Sequence, residues 1–305
     1  MNTFRKIAFG YSNHCNIKCA HCVAADEANP KAKMDLTKAR ALVAEMATAD
    51  VKGISFTAGE PLLYLNDLIA LIRLCKKYGI YSRVVTNGFW AKTRPQANDI
   101  VSALMAAGLS QLRISFSRWH QAHVSRENIV TAAASCQKLG LDYFVSFVTD
   151  LSETDAPYEQ FLQDNHLKYF PEPLIYFGRA QKLNRPEVFG DYPSNQCAMN
   201  PYLEPTLDMF ACCDAGSRFT ETGFLHLGNL SNHSVATLYG KYETNPLYYL
   251  IKTVGLTPLA SSLGMKTGEI VTYRKCELCE ELFNSTKNLD RLKQLLNKEP
   301  TRWHR

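Results

Sequence analysis

Along roughly the first 180 residues, short apolar runs alternate with stretches of helical periodicity. Six runs rich in β-branched and aromatic residues predict strands: Ile7–Tyr11, Gly53–Thr57, Ser82–Thr86, Gln111–Phe116, Tyr143–Thr149 and Leu174–Phe177. Between them, Leu36, Ala39, Leu42, Val43 and Met46 follow the i, i+3, i+4 stripe of an amphipathic helix, as do Leu65, Leu68, Ile69 and Ile72. Gly79 and Gly140 close two of the helices, in KKYG and QKLG. Six β/α repeats predict a partial (β/α)6 TIM-type barrel whose reactive rim lies at the strand C-termini. A doubly wound parallel sheet is the alternative, and the lack of a GxGxxG after the first strand counts against it. After Ala180 the pattern changes to LNRPEVFGDYPSNQC, then a hairpin around Pro205–Cys213 and a helix near Ser234–Tyr239. The expected organisation is α/β: residues 1–183 as the partial barrel and 184–305 as a small α+β domain with a C-terminal tail.

Apolar residues at 46% and charged residues at 21% suit a folded globular chain and exclude disordered, collagen-like and coiled-coil classes. A net charge of +5 without a long Lys/Arg run gives no dedicated nucleic-acid surface. No apolar run approaches the ~18 residues of a membrane span. Met1–Phe9 lacks the apolar core of a signal peptide, so the expected location is the cytoplasm. The basic end Thr301–Arg305 reads as a solvated tail.

Ten cysteines stand out, because a reducing compartment favours metal or redox duty over disulfides. Cys15, Cys19 and Cys22 form C-x3-C-x2-C directly after the first strand. Three thiolates on a short loop can hold three irons of a [4Fe-4S] cube and leave the fourth iron open. Structural zinc prefers four ligands and paired C-x2-C units, and suits this loop less. Cys197, Cys212 or Cys213, Cys276 and Cys279 supply four more thiolates, enough for one fully ligated cube or one zinc. Cys75 and Cys136 continue apolar helix stripes and read as core residues.

With these motifs together, the chain resembles the radical SAM superfamily. The C-x3-C-x2-C loop, with His21 before the last cysteine, is similar to the family's cluster signature. Ala58-Gly59-Glu60-Pro61 resembles the GGEP segment that contacts the methionyl amino group of S-adenosylmethionine (SAM), with Ala58 in place of the first glycine and a negative φ expected there. Thr86-Asn87-Gly88 is similar to the TNG turn; Ser115 stands where members place a polar SAM contact, and Ser117 where an Asp is usual. Gly178-Arg179-Ala180 resembles the GRA at the barrel's handover to a second cluster domain. The order Cys197, Cys212, Cys276, Cys279, with a hairpin at 205–213 and Gly228-Asn229-Leu230 behind it, resembles the shortened SPASM, or twitch, domain.

The resemblance implies two [4Fe-4S] clusters and SAM as cofactors. It implies reductive cleavage of SAM to a 5′-deoxyadenosyl radical that abstracts a substrate hydrogen, with the second cluster as electron acceptor or relay. An external one-electron reductant of flavodoxin or ferredoxin type is then required. The substrate is either a ribosomally made peptide, to be cross-linked, epimerised or oxidised, or a small molecule such as an aminocyclitol or sugar, to be dehydrogenated or epimerised. Cys15 lies too close to Met1 for an N-terminal peptide-recognition domain, so a peptide substrate would call for a separate recognition protein. A non-catalytic iron–sulfur electron carrier is the third alternative. Neighbours on a strand point to opposite faces, so one of Cys212 and Cys213 reaches the second cluster; Cys212 is the expected ligand. Cys213 is then a packed thiol or a hydrogen-atom donor to a substrate radical. Trp119 and His120 follow the fourth strand as substrate contacts or surface packing, and Arg179 either steers a carboxylate or joins the domains. His14 reads as a loop residue.

Overall fold

The computed structural model describes residues 4–24, 28–185, 197–214, 216–270 and 273–298. Six parallel strands, β1 (Lys6–Gly10), β2 (Gly53–Thr57), β3 (Tyr81–Thr86), β4 (Gln111–Phe116), β5 (Asp142–Thr149) and β6 (Tyr169–Pro173), pair in chain order. An unreversed order is what successive right-handed β/α units give when they wind round a barrel; a doubly wound sheet reverses at a switch point. The fold is a partial TIM-type barrel. Helices α1 (Leu36–Thr48), α2 (Leu65–Lys77), α3 (Arg94–Ala107), the short α4 (Arg118–Gln121), α5 (Arg126–Leu139) and α6 (Ala156–Asp164) connect the strands.

The apolar stripes read from the sequence are the buried ones. Leu42, Val43 and Met46 of α1 and Leu68 and Ile72 of α2 pack on the outward strand residues Ile54, Phe56, Val84, Leu112 and Ile114 in one core. Cys75 and Cys136 are fully buried in it as ordinary small hydrophobes. Gly79 and Gly140 take left-handed φ of 67° and 81° beyond α2 and α5.

The expected strand at Leu174–Phe177 is corrected. The sixth strand is Tyr169–Pro173, with sequence YFPEP, and it pairs only with β5. Proline removes a ladder donor, which an edge strand tolerates and an interior strand does not. The more apolar LIYF run leaves the ladder after the bond from Leu174 N to Thr149 O at 2.7 Å. Leu174 and Tyr176 then pack with Ala180, and Phe177 enters the main core.

Beyond residue 197 the sheet continues. β7 (Tyr202–Leu203) lies parallel to β1, β8 (Asp208–Phe210) returns antiparallel, and β9 (His226–Asn229) closes the edge. The predicted hairpin exists, but its second strand ends at Phe210. Cys212 and Cys213 therefore lie in the turn after β8 and not on a strand, which corrects the strand-alternation reasoning used for them. α7 (Val235–Thr244) starts at the Ser234 cap, where the periodicity placed a helix. It is followed by α8 (Pro246–Thr253), α9 (Leu256–Ser262), α10 (Thr267–Ile270), α11 (Lys275–Phe283) and α12 (Thr286–Lys298). The Pro- and Asn-rich stretch at 186–196, beside the expected division at 183/184, and the basic tail at 301–305 lie outside the described residues. No helix among the described residues is long and apolar enough to cross a membrane.

Two buried charged side chains, Arg274 and Glu277, tie α11 to the barrel. Glu277 accepts from Arg274 N at 3.0 Å and from Tyr176 N at 3.3 Å. Arg274 donates to Leu174 O at 2.5 Å and to Asp150 O at 3.0 Å, just past β6 and β5. Charged hydrogen bonds to buried carbonyls contribute about 1.5–3 kcal/mol each. Arg274→Ala is therefore expected to lower unfolding free energy by about 2–4 kcal/mol in urea titrations followed by circular dichroism, whereas exposed Lys293→Ala should stay within about 0.5 kcal/mol.

Candidate functional site

Cys15, Cys19 and Cys22 sit on the loop after β1, and contacts at both ends fix its course. At the entrance, Asn13 N donates to Ala32 O at 2.8 Å and Glu60 N to His14 O at 2.8 Å. At the exit, Arg179 N donates to Cys22 O at 3.1 Å. Two glycines make these approaches possible. A Cβ on Gly59 (φ 52°) would strike His14 O and stand 2.6 Å from Ser12 O. A Cβ on Gly178 (φ 58°) would stand 2.7 Å from Cys22 O. The two segments singled out in sequence thus grip the cysteine loop from opposite sides through backbone contacts that only glycine permits.

Ala58 overturns one expectation: its φ is +64°, the left-handed region, where an L-residue is strained by about 1–2 kcal/mol. Its methyl packs with Ala8, Tyr202 and Phe210, which holds it there.

All three loop cysteines line one cavity of about 630 Å³ that runs inside the barrel. Ala58, Gly59, Glu60, Thr86, Asn87, Ser115, His21 and Cys213 line it too. Pro61 and Ser117 do not. Pro61 is buried as the first residue of a 3-10 turn. The Ser117 hydroxyl is taken up at the start of α4, 2.8 Å from His120 Nδ1 and 3.2 Å from His120 N. Of the rim pair, His120 lines the cavity. Trp119 instead stacks on His21 with centroids 5.0 Å apart, with the Arg118 guanidinium 4.2 Å from its centroid. Burial pushes His21 down to about 4, helped by Arg179 and Arg118, so the ring is neutral.

Glu60 is 1% exposed and turns inward. Oε1 accepts from Leu62 N at 3.1 Å and Thr86 Oγ1 at 2.9 Å; Oε2 accepts from Asn87 N at 2.7 Å. A carboxylate has about four acceptor positions, which leaves one on Oε2 for a ligand donor. Burial raises its carboxyl to about 7 against those three bonds. Trp90, absent from the sequence reading, donates Nε1 to Thr86 Oγ1 at 3.0 Å and completes this network.

The middle of the cavity was also missed. Arg83, Arg113, Ser146 and Glu172 line it, and Arg113 pairs with Glu172 and donates to Ser146 Oγ at 2.8 Å. The available signal was alternation: Arg83, Arg113 and Ser115 interrupt apolar neighbours at every second position.

Every cysteine is a free thiol. Burial pushes Cys15 up to about 11 and Cys19 up to about 12, so without metal both are protonated. Three soft donors on a locked loop fit an iron–sulfur cube.

The remaining cysteines divide. Cys276 and Cys279 lie one turn apart on α11. Burial first, then neighbouring charge that includes Cys212 and Cys197, raises both thiols well above the usual range. Cys197 is tied to α8 by its N–H to Ile251 O at 3.2 Å. These four gather against the main core. Cys213 instead packs with Ala8, Ala58, Tyr202 and Phe210 and faces the barrel cavity. Among the described residues no three His, Cys, Asp or Glu side chains are arranged to chelate a single ion.

Comparison with known proteins agrees with this geometry. Residues 10–164 match the family model described as the radical SAM superfamily. YydG of Bacillus subtilis (strain 168), named as a candidate peptide biosynthesis protein, is 22% identical over 303 residues, covering 94% of each chain. Among solved structures, anSMEcpe with bound AdoMet superposes with a TM-score of 0.60 at 12% identity, covering 98% of both chains. BtrN in complex with AdoMet and 2-DOIA gives 0.51 at 15% identity, covering 83% of this chain and 89% of that one.

Relief of strain at Ala58 should be offset by about 0.8 kcal/mol of lost methyl burial and about 0.4–1 kcal/mol of added chain freedom. Ala58→Gly is thus expected within about 0.5 kcal/mol of the parent by urea unfolding. Gly178→Ala, by contrast, should lose most of the iron held by the first loop on anaerobic reconstitution.

Proposed function

Because this chain belongs to the radical SAM superfamily, whose fold implies a [4Fe-4S] cluster and SAM, we propose that it is a peptide-modifying enzyme that inverts a stereocentre. One observation carries the reading: Cys213 faces the same cavity as Cys15, Cys19 and Cys22, while its neighbour Cys212 turns to the other cysteine group. The likeness to YydG along nearly the whole chain favours a peptide over a small molecule.

Cys15, Cys19 and Cys22 would hold the first cluster, and Ala58, Gly59, Glu60, Thr86, Asn87 and Ser115 form the wall facing SAM. The neutral His21 ring, braced by Trp119, lies beside them. Pro61 and Ser117 act one layer back, shaping the turn after Glu60 and the start of α4. Bound together, the cluster and SAM supply the radical that removes a hydrogen atom from the substrate. The barrel wall excludes water and fixes the substrate carbon within reach. Cys213 then donates the hydrogen atom of its S–H to the opposite face of that carbon.

The sulfur left on Cys213 regains one electron and one proton, which restores the thiol. Water supplies the proton. An external one-electron reductant supplies the electron; Cys197, Cys212, Cys276 and Cys279, within the segment 197–298, would hold a second cluster able to relay it. A reducing cytoplasm suits all ten thiols. An electron carrier would have no use for the walled cavity.

Anaerobic reconstitution should give about eight irons per chain, falling to about four in Cys15→Ala/Cys19→Ala/Cys22→Ala, which should form no 5′-deoxyadenosine. With a synthetic precursor peptide encoded beside its gene, in D2O, the product should gain one deuterium and one D-residue. Cys213→Ala should keep its iron and still cleave SAM but give no D-residue. Normal inversion by Cys213→Ala, or loss of iron in that variant but not in Cys212→Ala, contradicts the reading.

A further inference from the structure

The Asn87 side chain is 5% exposed and every polar atom on it is directed by the protein. Oδ1 accepts from Phe89 N at 3.0 Å, which fixes which end of the amide is oxygen. Nδ2 therefore faces the cysteine loop, where it reaches Asn16 Oδ1 at 2.9 Å and Cys15 Sγ at 3.9 Å. An amide nitrogen carries two hydrogens, and these two contacts use both. The backbone N–H of the same residue is held by Glu60 at 2.7 Å.

We propose that the Asn87 amide donates to the Cys15 sulfur and thereby raises the reduction potential of the cluster that Cys15 holds. The proposal rests on the reading of Cys15 as a cluster ligand. Reduction adds one electron, and the extra negative charge spreads onto the thiolate sulfurs. A donor aimed at such a sulfur stabilises the reduced form more than the oxidised one. The contact is part-buried, so the preference is only partly screened.

The geometry makes Asn87 rigid in this task. Thr86, beside it, is locked between Glu60 and Trp90. Asn128 ties the next residues by donating to Gly88 O and Phe89 O, each at 3.3 Å. Asn16 holds the amide against the loop from its far side. The donor cannot swing away when the cluster charge changes, which is what a tuning group requires. This assigns Asn87 a tuning role toward iron in addition to its place in the cavity wall.

The test is an anaerobic redox titration of the reconstituted enzyme, followed by electron paramagnetic resonance. The first cluster is identified by the change of its signal when SAM is added. Asn87→Leu is expected to lower the midpoint potential with iron content unchanged, and Asn87→Asp to lower it further, because a carboxylate beside the sulfur opposes reduction. Asn16→Ala, which leaves the N–H to sulfur contact in place, should keep the wild-type potential. An unchanged potential in both Asn87 variants overturns the proposal, as does an equal drop in Asn16→Ala, which would make loop placement the cause. Loss of the cluster in both Asn87 variants also overturns it, since Asn87 would then be scaffold. If Cys15→Ala keeps a complete SAM-responsive cluster, the ligand assignment fails instead.

Discussion

The cysteine loop is held by backbone contact on two sides, and the rest of the site depends on that grip. Gly59 closes on Ser12 and His14 from the end of β2, while Gly178 closes on Cys22 from the segment after β6. The first and last strands of the barrel are thereby bridged by a loop of fixed shape across the rim. The bridge matters because three thiols cannot select a cube by chemistry alone; they need their spacing imposed before metal arrives. Burial keeps Cys15 and Cys19 as neutral thiols until then, a form that costs little in an apolar wall.

A second consequence concerns Cys212 and Cys213. Two adjacent thiols serve different surroundings because the chain turns immediately after β8. β7 lies against β1, so the turn falls beside Ala8 and Ala58, at the wall of the barrel. α11 brings Cys276 and Cys279 to the far side of the same turn, and Arg274 and Glu277 lock that helix onto the ends of β5 and β6. One residue step thus separates the barrel interior from the other cysteine group.

How much of this was legible in the sequence follows from which forces act locally. Strands β2 and β4 match their apolar runs to the residue, and β1, β3 and β5 begin one residue earlier than expected. The cysteine spacing, the two glycine-bearing segments and the Thr86-Asn87-Gly88 turn were visible because backbone approach and metal ligation demand particular residues. Tertiary competition was not visible. LIYF reads as a better strand than YFPEP, yet burial around Ala180 and Phe177 outbid the ladder for it. Ala58 was expected at negative φ, and contacts from β1, β7 and β8 hold it at +64°. Ser117 looked like a ligand contact by position, but its hydroxyl is taken by the cap of α4.

The lining of the barrel carries information that fold recognition does not. Parallel strands covered by helices are usually apolar on both faces. Here the outward face is: Val84, Leu112, Ile114, Val145 and Phe147 meet the helices, while the inward face mixes Arg83, Arg113, Ser115 and Ser146 with Ala8, Val85 and Val148. Left unpaired in a closed core those groups would be strongly destabilising; here they line a cavity and pair along its wall. Glu172 of β6 pairs with Arg113 of β4 across β5, where Arg113 also donates to Ser146. The interior therefore offers hydrogen-bond donors and acceptors set among apolar side chains such as Ile7, Val85, Val148 and Leu174. The same alternation that marks each strand's core face also sets, on the other face, the mixed polarity of the cavity wall.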